Sequence, residues 1–520
     1  MKTTLFSALR TAFSLAQLSE NKGFISTDDA LAEYERHLMH RRHFLKTTAR
    51  AGAILGIGGP LLARDLLLPA AGNSLHRIAI AGAGMAGLSA AYYLRRKGVV
   101  AAVFEGDKRP GGRIKSARIF DNGNLNTEIG AEFIDTSHAD MLWFARMLGL
   151  ETGLMDVERD HFGIRDAFYF ENRHHSLAEV LDEFRNIYPR ILADQKKLEG
   201  RHAEALDKVS MADYIEGLQV SGWVKKMLHA AYLGENGMET SQQSAANLLS
   251  IFAIENGKFY PFGSSDERFK VIGGNEQIPQ GLAGMLKEQI RYGHKLLSVK
   301  ENSNRSITLR FSADGAEREE TFDTVILTLP FTVLRELDIK MDLPPLKRRV
   351  ISELGYGTNS KFIVETKERV WRSAGYRGYL FNERIPNGWD SAQMQQNDRG
   401  VGAFTCFFGG EKGRTAARGT ENEQLAYVLP ELEGAFPGTK NSLTGKTELA
   451  HWPGNPFVKA SYSCFAVGQV TAFEGAAFEP VRNLYFAGEH CSADFWGFMN
   501  GGAESGRKAA GKILKKMRIR

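Results

Sequence analysis

The chain has 520 residues, of which 43% are hydrophobic and 24% charged, and its net charge is +5. This length predicts two intertwined domains plus a targeting segment rather than one small core. Residues 1–74 carry nine Lys/Arg and six Asp/Glu, so only +2 remains on the rest of the chain. This excludes the basic footprint of a nucleic-acid-binding protein.

The three cysteines are Cys406, Cys464 and Cys491. Their number is odd, and no pair has the spacing of metal ligands. Both facts argue against a disulfide framework and against a metal site. We expect buried or site-lining thiols.

The N-terminal segment contains a pair of arginines, Arg41-Arg42, followed by Phe44-Leu45-Lys46. This resembles the twin-arginine export motif, with His40 where Ser or Thr is usual. The uncharged stretch 51–63 is shorter than the roughly 20 residues of a membrane span and is typical of a signal peptide. We predict that residues 1–74 form a leader, and that translation starts at Met1 or at Met39. The twin-arginine translocase is then expected to export the protein to the periplasm. The alternative is an amphipathic helix with a chance arginine pair.

A nucleotide-binding pattern follows the leader. Residues 77–81 read as a buried strand, 88–97 as a helix and 99–104 as the next strand. The turn between the first two has the spacing G-x-G-x-x-G and consists of Gly82, Ala83, Gly84, Met85, Ala86 and Gly87. The glycines allow a tight turn, a close approach to a pyrophosphate and close helix packing, and Glu105 stands where a carboxylate holds ribose hydroxyls. The order of these parts predicts a dinucleotide site.

The residues after Glu105 carry a resemblance to a known family. Arg109-Pro110-Gly111-Gly112-Arg113 and then Glu128 to Ile134 resemble motifs of the flavin-containing amine oxidases, which include monoamine, polyamine and L-amino-acid oxidases. The likeness covers roughly residues 76–515. It implies FAD as the cofactor. Beyond the turn, the resemblance implies these cofactor-binding residues: Glu105, Arg109, Gly112, Arg113, Gly130, Ala131, Glu132, Phe133, Leu296, Trp452, Gly488, Glu489, Phe498 and Met499.

The same resemblance implies the catalytic residues Lys361, Tyr462 and Phe498. In the family a lysine at the place of Lys361 binds a water near flavin N5, and two aromatic rings flank the substrate nitrogen. Phe498 stands where monoamine oxidases have a second tyrosine. Ser461 precedes Tyr462 where some relatives have a flavin-linked cysteine, so we expect non-covalent FAD.

The resemblance also implies the fold class. We expect an α/β protein, with a Rossmann-like FAD-binding domain interleaved with an α+β substrate domain of mixed sheet and helices. The FAD-binding domain is predicted in residues 75–135, 265–335 and 445–515. The substrate domain is predicted in residues 136–264 and 336–444.

The expected reaction is oxidation of an amine: hydride transfer from the amine-bearing carbon to flavin N5, imine hydrolysis, and formation of hydrogen peroxide from dioxygen. Asp135 matches an acidic residue that recruits a distant substrate ammonium in some polyamine oxidases. The alternative role for Asp135, and for His138, is to cap a loop. The alternatives for the protein are an L-amino-acid oxidase, a desaturase or porphyrinogen-type oxidase, and a non-catalytic flavoprotein. Gly130 to Phe133 lacks the arginine that many L-amino-acid oxidases carry there. No metal and no oligomeric state are predicted.

Overall fold

The computed structural model describes residues 76–150, 154–156, 165–198, 202–250, 253–255, 258–264, 267–393, 395, 400–473 and 475–519. The predicted leader, residues 1–74, lies outside the described residues, so its export stays a prediction. Of the helices that are described, none is both long and apolar enough to span a membrane.

The strands, in chain order, are β1 (Ile78–Ala81), β2 (Ala101–Phe104), β3 (Ser116–Phe120), β4 (Leu125–Glu128), β5 (Leu154–Asp156), β6 (Arg165–Phe170), β7 (Arg173–His175), β8 (Ala253–Glu255), β9 (Lys258–Ser264), β10 (Phe269–Val271), β11 (Ile290–Arg291), β12 (Lys295–Glu301), β13 (Ile307–Ala313), β14 (Ala316–Phe322), β15 (Thr324–Leu327), β16 (Asp338–Lys340), β17 (Ser360–Thr366), β18 (Tyr376–Phe381), β19 (Asn387–Asp390), β20 (Gly402–Phe408), β21 (Leu443–His451) and β22 (Leu484–Phe486).

The α-helices, in chain order, are α1 (Met85–Arg96), α2 (Ala139–Met147), α3 (Leu177–Leu198), α4 (Ala203–Asp207), α5 (Met211–Glu216), α6 (Gly222–Asn236), α7 (Ala245–Ser250), α8 (Gln277–Met285), α9 (Phe331–Leu334), α10 (Pro345–Glu353), α11 (Val370–Ser373), α12 (Gly410–Thr415), α13 (Glu421–Ala435), α14 (Thr439–Ser442), α15 (Gln469–Ala472) and α16 (Met499–Lys516).

A five-stranded parallel sheet, in the order β11-β2-β1-β15-β22, forms the centre of the first domain. All four residues of β1 are buried. Ile78 and Ile80 face the core that α1 and α16 cover, and Ala79 and Ala81 face a second core on the other side. Successive side chains alternate between faces, and a parallel sheet buried on both faces reads as an unbroken apolar run. The carboxyl ends of its strands meet at one edge, where ligands bind in such sheets.

A seven-stranded mixed sheet, in the order β21-β17-β20-β19-β18-β6-β7, forms the second domain. Helices α3, α5, α6 and α7 cover one face with a large aromatic core. The β17 strand is buried along its whole length between β20 and β21. Phe362 and Val364 pack into the core beside α13, so Lys361 projects from the opposite face. The predicted fold class is confirmed, and solved structures discussed below share it.

Two elements depart from the predicted domain boundaries. Helix α2 falls in the segment 136–264, but Met141 and Phe144 bury their side chains in the core of the parallel sheet. The rings of Phe144 and Tyr92 of α1 lie 5.6 Å apart. Strand β21 begins before residue 445 and pairs with β17 of the mixed sheet. The apolar face of α2 and the backbone pairing of β21 with β17, rather than their places in the chain, decide where these elements pack.

Candidate active site

The glycine turn leaves an open space at the start of α1. Gly82 has φ +110°, and its N–H donates to the carbonyl of Phe104 over 2.7 Å. A Cβ on Gly87 would lie 1.9 Å from the Gly82 carbonyl oxygen, so only glycine lets helix and strand approach this closely. A Cβ on Gly84 would meet nothing within 4 Å. Helix α1 has no side-chain N-cap, so its N-terminus is suited to bind an anion.

Glu105 ends β2 and fixes this turn. Its Oε2 accepts the N–H of Ala83 over 2.6 Å, and its Oε1 accepts the N–H of Asp107 over 2.8 Å. Burial raises the pKa of the Glu105 carboxyl. Each oxygen keeps a lone pair that a ribose hydroxyl could use.

The two arginines of the Arg-x-Gly-Gly-Arg run have different partners. Arg109 donates to the carbonyls of Gly112 (2.5 Å), Pro110 (3.1 Å) and Ile114 (3.2 Å), and so holds its own loop. Arg113 reaches the far end of the chain, where it donates to the Ser461 carbonyl over 2.6 Å and to Glu489 over 2.8 Å. Arg113 therefore ties the two halves of the nucleotide site together.

Glu489 is a buried carboxylate at the start of the last helix. Besides Arg113, it accepts the N–H (3.1 Å) and hydroxyl (2.7 Å) of Ser463 and the N–H of Gly497 (2.8 Å). Burial alone would raise its pKa, but the charge of Arg113 and these hydrogen bonds hold the pKa of Glu489 at about 2. The carboxylate is therefore ionised at neutral pH.

Lys361 lies at the cleft wall with all its donors used. Its Nζ donates to the carbonyls of Glu128 (2.7 Å) and Gly130 (2.9 Å) and to Oε2 of Glu132 (2.6 Å). An ammonium has three donors. None therefore remains for the water that the family resemblance implies, and the lysine instead holds the Gly130 segment.

Two aromatic rings, those of Tyr462 and Phe498, also line the cleft. Tyr462 is buried, and its hydroxyl donates to the carbonyl of Glu235. Phe498 immediately precedes α16, and its ring lies edge-on to His138 at 4.8 Å. Nearby, Trp452 donates from Nε1 to the carbonyl of Ile129 over 2.7 Å. These bonds fix the aromatic walls in place.

Asp135 does not line the cleft. Its Oδ1 accepts the N–H of Glu267 over 2.8 Å, and its Oδ2 lies 3.4 Å from Nε2 of His138. The backbone N–H of Asp135 donates in turn to Nδ1 of His138 over 2.9 Å. This is the loop-capping arrangement, so the carboxylate is not placed to meet a substrate in the cleft.

The structure brings most of the predicted residues into one cleft. Three stand outside its lining: Ala83, Gly87 and Asp135. The predicted residues that line it are Gly82, Gly84, Met85, Ala86, Glu105, Arg109, Gly112, Arg113, Gly130, Ala131, Glu132, Phe133, Leu296, Lys361, Trp452, Tyr462, Gly488, Glu489, Phe498 and Met499.

Sequence reasoning missed several other lining residues, among them Asn359, Phe407 and Phe457. Asn359 accepts a hydrogen bond from the hydroxyl of Ser461 over 2.6 Å. Its position two residues before Lys361 could have identified it, because alternate residues of an extended segment face the same side. Phe407 lies in a strand that is buried throughout, and its pattern does not show which side chains face a cleft.

Replacing Glu128 by glutamine is expected to stabilise the protein more at pH 8 than at pH 5. Glu128 accepts the N–H of Asn275 and the hydroxyl of Ser116, each over 2.8 Å, and burial raises its pKa to about 7. Its folded pKa exceeds its unfolded pKa, so the stability that its proton provides is lost as pH rises between about 4.5 and 7. Glutamine stays neutral throughout. Between pH 5 and pH 8, the stability of Glu128→Gln relative to the wild type should rise by about 2.5 kcal/mol.

Urea unfolding at both pH values measures this difference. The exposed Glu288→Gln serves as control and should show no pH-dependent gain. An equal effect of Glu128→Gln at both pH values would contradict the raised pKa of Glu128.

The cleft fits a dinucleotide. Its lining offers the uncapped start of α1, the open space at Gly84 and the Glu105 carboxylate. It also offers a second uncapped helix start, at Met499, directly after Phe498. Helix N-termini attract negative charge, so these two helix starts suit the phosphates and the electron-accepting ring of a flavin dinucleotide.

The chain is similar to known proteins over most of its length. A family profile described as flavin-containing amine oxidoreductase matches residues 85–514. L-amino acid oxidase Lm29 of Lachesis muta is 23% identical over 464 residues, covering 85% of this chain and 87% of that protein. Amine oxidase [flavin-containing] A of Equus caballus is 25% identical over 471 residues, covering 84% of each.

Among solved structures, cyclohexylamine oxidase from Brevibacterium oxydans IH-35A superposes with a TM-score of 0.72 at 19% identity, covering 85% of this chain and 99% of that one. Wild-type putrescine oxidase, solved bound to putrescine, gives a TM-score of 0.71 with the same coverage and identity. These likenesses show the fold. The profile match spans most of the chain and implies a flavin cofactor. The chain belongs to the flavin-containing amine oxidoreductase family.

Proposed function

We propose that the protein is an FAD-dependent oxidase of amines that uses dioxygen as acceptor and releases hydrogen peroxide. The observation that carries this is the pair Tyr462 and Phe498, which lines the cleft beside the start of α16. Such a pair can hold a planar C–N unit between two rings. Asp135 adds nothing to the proposal, because its carboxylate is committed to His138 and Glu267.

A bound flavin supplies the hydride acceptor, its N5 atom. The chain supplies the surroundings. The buried rings of Tyr462 and Phe498 exclude water and disfavour the ammonium form, so the substrate binds as the neutral amine that can release hydride. The Tyr462 hydroxyl, held by the Glu235 carbonyl, keeps its ring from turning. The positive end of the α16 dipole favours negative charge at this end of the cleft.

We propose that FAD is held without a covalent bond. Ser461 stands where a linking cysteine occurs in some relatives, and the three cysteines are buried, free and outside the cleft lining. Burial also raises the pKa of the Cys491 thiol to about 12, which suppresses the reactive thiolate. After heat denaturation the yellow chromophore should pass an ultrafiltration membrane. Retention with the protein would show a covalent link.

The test of the function is hydrogen peroxide release from a panel of primary amines, diamines and L-amino acids. Phe498→Leu and Tyr462→Leu should each lower kcat/KM at least about tenfold, because they remove a planar wall. Phe498→Tyr keeps the ring and should stay within about threefold. Flavin content, measured by absorbance, must be equal in all variants. If no amine bleaches the bound flavin without oxygen, the protein is not an amine oxidase.

An L-amino-acid oxidase is the second candidate, because the Lachesis muta enzyme is similar over 464 residues. A substrate carboxylate needs a cationic partner in the cleft. Phe133 lies where many such enzymes have an arginine, and the donors of Lys361 are all taken. L-amino acids in the same panel decide between the two.

A further inference from the structure

A buried run of charges, Lys270, Glu132 and Lys361, lies behind the cleft wall; we call it the charge chain. Lys270 donates to Oε1 of Glu132 over 2.5 Å, and Lys361 donates to Oε2 over 2.6 Å. Trp389 adds a third bond, from its Nε1 to Oε1 over 2.9 Å. One carboxylate therefore joins two ammonium groups that lie 91 positions apart in sequence.

The charge chain carries more positive than negative charge. The side chains of Lys270, Glu132 and Lys361 are 10%, 1% and 1% exposed. Burial alone would raise the pKa of Glu132, but the two lysines outweigh it, so the pKa is lowered and the carboxylate is ionised. Burial lowers the pKa of Lys361, and Glu132 opposes that shift. The three hydrogen bonds that Lys361 donates need all three protons of an ammonium, so the charge chain holds two cations and one anion, a net charge of +1.

Two described carboxyl groups beside the charge chain have raised pKa values, which weakens their negative charge at neutral pH. The carboxyl of Glu128 has its pKa raised by burial to about 7, so it is only partly ionised at neutral pH. Burial and the carboxylate of Asp135 raise the pKa of Glu267 well above its usual range, which favours the neutral carboxyl. Asp135 is itself bound to His138 and to the Glu267 backbone.

Only part of the charge chain touches the cleft. Glu132 and Lys361 line it, whereas Lys270 lies outside the lining, with its Nζ 4.7 Å from the centre of the Phe133 ring. A single lysine would neutralise Glu132. Burying a second ammonium costs solvation energy, so its presence needs a compensating role.

We propose that Lys270 is a positioning residue that acts through Glu132 to place excess positive charge at the cleft wall, where it favours reduction of the bound flavin. Two-electron reduction adds negative charge to the cleft, and a fixed cation beside a water-excluded site stabilises such charge without rearranging. The inference rests on the proposed flavin site, but not on which compound supplies the electrons.

The test is the midpoint potential of the bound flavin, measured by titration with a chemical reductant in the absence of any amine. Lys270→Met keeps the aliphatic stem and removes the charge. It should make two-electron reduction about tenfold less favourable, which corresponds to a potential lower by about 30 mV. Lys270→Arg keeps the charge and should stay within about threefold of the wild type.

Lys347→Met is the matched control, because Lys347 is buried but donates to the carbonyls of Ala476 and Ala477, away from the charge chain. Its potential should equal the wild-type value. A Lys270→Met protein with a lower Tm but an unchanged potential would overturn the inference and leave a structural role. If Lys270→Met does not fold, Lys270→Gln gives the same test. A wild-type protein that binds no flavin would instead overturn the proposed function.

Discussion

Replacing Gly84 by alanine is expected to leave the apoprotein folded and to lower its affinity for FAD about 100-fold, or about 2.7 kcal/mol. A Cβ at Gly84 meets no protein atom within 4 Å, and its φ of −72° suits any residue. The added methyl instead enters the space where the backbone must approach the pyrophosphate. Quenching of flavin fluorescence on titration with apoprotein measures the affinity.

Gly511→Ala is the matched control. A Cβ there also meets nothing within 4 Å, but Gly511 is exposed on α16 and stands outside the cleft lining. Its FAD affinity should equal that of the wild type. Gly87→Ala would not be a clean test, because its Cβ would collide with the Gly82 carbonyl and disturb the fold itself. Wild-type affinity in Gly84→Ala would mean that the pyrophosphate does not lie at this turn.

Replacing Arg113 by methionine is expected to destabilise the protein by about 3–5 kcal/mol at neutral pH, the usual cost of breaking a buried ion pair. It removes the 2.8 Å contact to Glu489, whose carboxylate is 6% exposed. The folded pKa of Glu489, about 2, lies below its ordinary value, so its stability contribution is present above about pH 4.5 and lost towards pH 2. The cost of Arg113→Met should therefore shrink as the pH falls.

Urea unfolding between pH 3 and pH 8 measures this dependence. The control is Arg349→Met, which breaks the exposed pair with Glu353 and should cost less than about 1 kcal/mol. The same loss at pH 3 and pH 8 would show that Arg113 acts through packing rather than through its charge.

The sequence predicted best those features that depend on residues close together in the chain. The strand, turn and helix around Gly84 follow from local geometry, and β1, α1 and β2 lie where the pattern placed them. Lys361 was found only through the family resemblance, because the alternation in β17 does not tell which face meets the cleft. Its partner Glu132 lies 229 positions away, and that contact depends on how the two domains pack.

For Asp135, by contrast, the family resemblance gave a wrong role. The resemblance pointed to a substrate-binding acid, whereas the Asp-x-x-His spacing gives a local capping pair. The Asp135 carboxylate is held by the nearby His138 ring and by the backbone N–H of Glu267, which is distant in sequence, so it is not available to a substrate. The sequence could not predict that Phe407 lines the cleft, because every residue of β20 is buried.

Helices α1 and α16 touch backbone to backbone. A Cβ on Gly506 would lie 2.1 Å from the Ala86 carbonyl oxygen, and both helices begin at the cleft. The cleft wall where α1 meets α16 therefore needs both helices, one from each end of the described chain. A chain that lacks α16 therefore has an incomplete wall at the flavin site that we propose. C-terminal truncations that remove α16 should accumulate as colourless protein.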